Sequence, residues 1–187
     1  MSDKALKRIQ KQLEKLLDQQ TEICQRIEVL ETQAVAAAAP TRPEVVQILD
    51  GFRVGETLGE ASIGAWLEVC TTDCVRGALR TIQQREGMHA RLLGARLCEL
   101  GAELSEIPDE AREQAIKQLG STKKTDAEKI SDFAEQFPDP EALLKPLSDL
   151  ADRLDADQET QWLLRAILQD ERSTLNLIHE ADRMLNG

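Results

Sequence analysis

The residues with the most chemistry to offer are Glu86 and His89, which interrupt an aliphatic helical stripe. Leu79, Ile82, Leu93 and Leu97 recur at helical spacing, and Glu86 and His89 take the two inward positions between them. A buried carboxylate without a partner is costly, so a group placed there is paired, protonated or bound to metal. Set three residues apart, the two side chains leave one face of the helix and can grip a single ion together. Glu-x-x-His alone occurs by chance in many helices, so its surroundings must carry the weight.

Those surroundings contain an internal repeat. Leu79–Glu86 (LRTIQQRE) matches Leu164–Glu171 (LRAILQDE) at five of eight positions, with an offset of 85 residues. The offset lays Glu86 on Glu171 and Glu56 on Glu141, and within each half the two acids are 30 residues apart. Two helical hairpins would then each bring a glutamate from the rising helix opposite one from the returning helix. Glu60 competes with Glu56, because both reach similar heights across a turn near Thr72. The offset favours Glu56, since the counterpart of Glu60 is Lys145. Glu141 also has a plainer role: an acid just after Asp139-Pro140 stabilises the positive end of a helix dipole.

The elements that must position these groups can be read along the chain. Leu6, Ile9, Leu13, Leu16, Gln20, Ile23, Ile27 and Leu30 step alternately by three and four, the a/d seam of a coiled coil with one polar a position. Residues 1–31 are therefore expected to form a coiled-coil helix that self-associates, and residues 32–43, with AVAAAAP and two prolines, a linker. From 44 onward helical periodicity returns and persists to 187. A first helix through Val45, Ile48, Phe52, Ile63 and Trp66 meets a tight turn at Thr71-Thr72-Asp73. A second helix follows and ends at Gly101. Residues 105–139 make a long polar crossover with modest helices near Asp109–Leu119 and Asp126–Phe137. Asp139-Pro140 starts a third long helix, Asp155–Asp157 form another corner, and a last helix runs from about Gln158 to Leu185. The predicted fold class is all-α: a four-helix bundle of two hairpins joined by a long crossover. Trp66 and Trp162 are expected to pack the core or the hairpins, and Arg80 and Arg165 to pair with nearby carboxylates.

Composition agrees and excludes several classes. Of 187 residues 41% are hydrophobic but only 3% aromatic, with no tyrosine, which disfavours sandwiches and barrels. Against 34 acids stand 23 bases, a net charge of −11, so a nucleic-acid or anionic-membrane footprint is not expected. No apolar run is long enough to span a bilayer and the start lacks a signal-peptide core, so the expected compartment is the cytoplasm. Cys24, Cys70, Cys74 and Cys98 are then reduced thiols, with Cys70 and Cys74 serving helix-end packing, since no second pair completes a zinc site.

From residue 44 to 186 the chain resembles the ferritin-like, rubrerythrin-type superfamily. The resemblance implies a bundle whose core holds a carboxylate-bridged pair of iron or manganese ions, with one Glu from each of two helices and a Glu-x-x-His from each of the others. Carried over, Glu56 and Glu86-Gly87-Met88-His89 match the first half, and Glu141 and Glu171-Arg172-Ser173-Thr174 the second. Thr174 stands where the second histidine belongs, so a single-metal or asymmetric site is expected. The resemblance implies a non-haem metal protein that oxidises Fe(II) or acts on oxygen or peroxide. The alternative is a structural or interaction protein on the same scaffold, without an active metal centre and with the N-terminal helix as its working part.

Overall fold

A computed structural model describes residues 40–136 and 138–187; the heptad segment and most of the expected linker lie outside them. The described residues form six helices and no strand: α1 (Arg42–Val69), α2 (Asp73–Glu99), α3 (Asp109–Leu119), α4 (Asp126–Gln136), α5 (Pro140–Arg153) and α6 (Gln158–Asn186). The all-α expectation is met. Helix α1 begins within the segment read as linker, because Thr41 caps it by accepting from the Glu44 amide at 3.4 Å and Pro43 fits its first turn.

Short connections make α1 and α2, and then α5 and α6, antiparallel neighbours. The α1–α2 turn is sealed from a distance. Thr72 makes no side-chain cap; instead the Asp126 carboxylate at the start of α4 accepts from the Thr71 amide (2.9 Å), the Thr72 amide (3.0 Å) and the Trp66 indole (2.8 Å). These donors outweigh the cost of burial and hold the Asp126 carboxyl well below its ordinary range. At its far end α2 closes on Gly101 at φ +67°, with Gly101 N–H to Cys98 O and Ala102 N–H to Leu97 O, a Schellman motif that only glycine adopts without strain. Asp139 caps α5 through the Glu141 and Ala142 amides, and Asp157 caps α6 through Thr160.

Arg96 ties α2 to the start of α6, donating to Thr160 Oγ1 (2.8 Å), Asp157 (2.9 Å) and Glu159 (2.9 Å). Arg153 at the end of α5 reaches Glu44 near the start of α1 at 2.5 Å. The aliphatic core is divided. Leu49, Leu93, Leu97, Leu147, Leu150 and Leu164 pack at one end, and Ile63, Trp66, Val75, Leu79, Ile82 and Ile130 at the other. On α1 and α2 the polar positions 56, 86 and 89 fall between the two groups. Each fully buried Leu or Ile contributes about 1.5–3 kcal/mol, so the clusters on either side can hold a costly polar layer in place.

Trp162 corrects an expectation: it is 63% exposed, with the Arg165 guanidinium 5.4 Å from its ring centroid, because it sits on the outer face of α6. Arg165 also approaches Asp152 at 3.8 Å. Cys70 is buried and Cys74 exposed. Among the described residues no helix is long and apolar enough to cross a membrane.

A candidate metal centre between the two halves of the core

Four of the six acids and imidazoles singled out by sequence converge. Helix α1 supplies Glu56, α2 supplies Glu86 and His89, and α6 supplies Glu171. His89 is fully buried, and its Nδ1 lies 3.2 Å from Glu56 Oε2 and 3.2 Å from Glu171 Oε1. On the other edge of the ring, Nε2 lies 3.2 Å from Asp170 Oδ2. One ring nitrogen carries at most one hydrogen, so Nδ1 cannot serve both carboxylates. It pairs with Glu56, and Glu171 Oε1 is left buried without a hydrogen bond. An orphaned buried acceptor of this kind costs about 1–3 kcal/mol unless something else supplies the missing partner.

Without metal the cluster manages its charge by holding protons. Burial, followed by the charges of Glu56 and Glu171, pushes the Glu86 carboxyl up to about 9, so it is neutral near pH 7 and shares a hydrogen bond with Glu56. Glu56 itself is raised, first by burial and against the pull of His89. Burial alone would lower His89; the carboxylates of Glu171, Glu56 and Asp170 around its ring overcome it and raise the imidazolium to about 10.

The donor set also fits a divalent cation. Glu56, His89 and Glu171 each offer one ligand atom within 4.8 Å of the others. Carboxylate with imidazole suits iron and manganese. Asp170 on Nε2 fixes the ring and its tautomer, as carboxylates behind metal-binding histidines do. Room for the carboxylates comes from two glycines: a Cβ at Gly59 would overlap the Glu86 carboxylate, and one at Gly87 would overlap that of Glu60. A cavity of about 750 Å³ reaches Glu56, Glu86 and Glu171 from outside.

Two expected residues lie elsewhere. Glu60 sits at the rim over Gly87, 3.9 Å from Arg91. Glu141 is exposed and makes a paired contact with Arg172 at 2.7 and 2.9 Å, so the first-turn role is the one it plays. The repeat misleads there because α5 has 14 residues against 28 in α1, which leaves Glu141 near the helix end rather than at mid-height. Thr174, in place of a second histidine, accepts from Arg85 Nη1 at 3.1 Å, and Arg85 Nη2 donates to Ser173 at 3.2 Å. A guanidinium therefore occupies the place next to Glu171 where the resemblance would put a second histidine. Asp170 was not anticipated; its only signal was adjacency to Glu171. No protein-family model, curated protein or solved structure matches the chain, so its chemistry rests on this geometry.

Proposed function

We propose that the protein is a ferritin-like metal-binding protein that holds one iron or manganese ion through Glu56, His89 and Glu171, with Glu86 beside it. In this proposal α1, α2, α5 and α6 form the four-helix bundle and α3 and α4 belong to its crossover. The observation that carries it is the Glu56–His89–Glu171 triad, whose ligand atoms lie within 4.8 Å of one another around the orphaned oxygen of Glu171. When bound, the ion would supply Lewis acidity and, if iron, one-electron exchange with oxygen or peroxide. The chain's own contributions are separate: Asp170 orients His89, Glu86 keeps a transferable proton against Glu56, and the aliphatic clusters on both sides hold the polar layer in place. Self-association through residues 6–30 belongs to the same proposal; light scattering that returns one chain per particle would remove it.

A second reading is favoured by Arg85 and Thr174: a scaffold in which His89 with its carboxylates is a structural ion cluster and no metal binds. Elemental analysis decides between them. Protein purified without chelator, or loaded anaerobically with Fe(II), is expected to hold one ion per chain, and to lose it in His89→Ala and Glu171→Ala. Absence of metal after loading sinks the proposal in favour of the second reading.

A further inference from the structure

The cavity at the carboxylates is far larger than an ion requires. It follows α1 from Glu44 to Ile63, about 28 Å at 1.5 Å per residue. The acids come partway along it. Ile48, Phe52, Leu143 and Pro146 line one side of them, and Ile63, Ile82, Phe133 and Ile178 the other. Helix α1 offers no side chain at Gly51 or Gly55, where an added Cβ would meet no atom within 4 Å. The volume of about 750 Å³ lies in the range of small-molecule sites, and its length suits a flexible unbranched chain better than a compact ring system.

Ser62 and Phe133 line both this trough and a second cavity of about 330 Å³, whose wall includes Lys124 and Lys129. Lys129 is only 4% exposed. Its ammonium donates to the Leu119 carbonyl at 2.7 Å and stands 5.3 Å from the Trp66 ring centroid, which uses one of three donors, and it makes no ion pair among the described residues. Burial lowers it below the ordinary lysine value. The Asp126 charge offsets part of that burial, but its oxygens accept from Trp66, Thr71 and Thr72, so the ammonium keeps donors to spare and an anion at its side would relieve the remaining cost. Lys124 adds a second positive charge, already engaged by Asp132 at the same cavity. At the opposite end of the trough Glu44 is already paired with Arg153, so the lysines alone mark the end that suits an anionic head group.

We infer that the trough and the lysine cavity form one site for a long-chain carboxylate, its head on Lys129 and Lys124 and its chain passing Phe133 to lie across Glu56, Glu86 and Glu171. Resting on the metal reading above, this makes long-chain carboxylates the substrate class of that centre, with the lysines determining which carbons lie against it. The probe is hexadecanoate, titrated calorimetrically into delipidated full-length protein with and without Mn(II), and metal content is measured on the same samples. One hexadecanoate per chain is expected, with hexadecan-1-ol at least about tenfold weaker. Lys129→Met should weaken hexadecanoate about tenfold and leave the alcohol unchanged; if that variant does not fold, Lys124→Ala should still give a several-fold loss. Gly55→Leu, a better helix former at an exposed position, should fill the trough and abolish binding of both probes while metal content stays intact. Failure of the wild type to bind hexadecanoate, undiminished binding in Gly55→Leu, or preference for hexadecylamine overturns the inference. Metal without hexadecanoate leaves the metal proposal standing and sinks this one; hexadecanoate without metal keeps the binding site and removes its role as a substrate site.

Discussion

Replacing Glu86 by glutamine in metal-free protein should make the protein more stable, and by an amount that depends on pH. Folding raises the Glu86 carboxyl from 4.5 to about 9, because burial and the charges of Glu56 and Glu171 disfavour its ionised form. Between those values the folded protein keeps a proton that the unfolded chain has released. The stability tied to that proton is complete below pH 4.5 and is lost as pH rises through 9, at about 1.4 kcal/mol per unit. At pH 7 the wild type has lost about 3 kcal/mol by this route, 2.5 units above the unfolded value. Glutamine copies the neutral acid in shape and can donate to Glu56, but never ionises in the unfolded chain. Urea unfolding of chelator-treated protein at pH 4.5, 6, 7 and 8 measures the difference between the two. Glu86→Gln is expected to match the wild type at pH 4.5 and to exceed it by about 3 kcal/mol at pH 7. An equal or lower stability at pH 7, or a gain that does not grow with pH, would show that Glu86 is not held neutral in the fold.

Further outcomes follow from the same geometry. His89 is raised to about 10 from 6.5, so its contribution is present below pH 6.5 and fades toward pH 10; the metal-free wild type should therefore become easier to unfold from pH 6 to 9, as guanidinium midpoints will report. A metal ion must displace the proton on His89 Nδ1, so Mn(II) affinity measured by titration should rise across that range, and a flat profile would count against ligation by His89. Gly59→Ala should improve helix propensity by about 1 kcal/mol yet weaken Mn(II) binding, since the new methyl would overlap the Glu86 carboxylate. Asp126→Ala should destabilise the fold by about 2–4 kcal/mol, because the Thr71 and Thr72 amides and the Trp66 indole lose their acceptor; loss below 1 kcal/mol in urea would contradict that role. In metal assays Glu60→Ala and Glu141→Ala should behave as wild type.

Much of the helical plan was legible because its punctuation is local. Asp139-Pro140, Asp157 and Gly101 mark helix ends by side-chain and backbone chemistry that needs no tertiary partner, and the predicted crossover helices match α3 and α4 closely. The site was legible where polar residues broke an aliphatic stripe, which picked out Glu86 and His89, and where the 85-residue offset added Glu56 and Glu171. It was not legible where tertiary geometry decided. Asp170 reads as a surface acid and becomes the partner of His89 only once α6 is rotated against α2. Trp162 has a core side chain's composition but an outer-face position. The trough went unread although Gly51, Gly55 and Gly59 recur every four residues, because a bare helix face can be packed by a neighbour or left open and spacing alone does not say which.

The contacts of Arg85 constrain any attempt to introduce a symmetric two-ion site into this protein. Introducing Thr174→His alone would set an imidazole against a guanidinium already bound to Ser173 and the Asp170 carbonyl, and two cations would contest one place. Arg85 would have to change in the same step, to a side chain that vacates α6 without stranding Ser173. Even that double change would leave Glu141 at the exposed start of α5, held by Arg172, so a second full set of ligands lies more than two substitutions away.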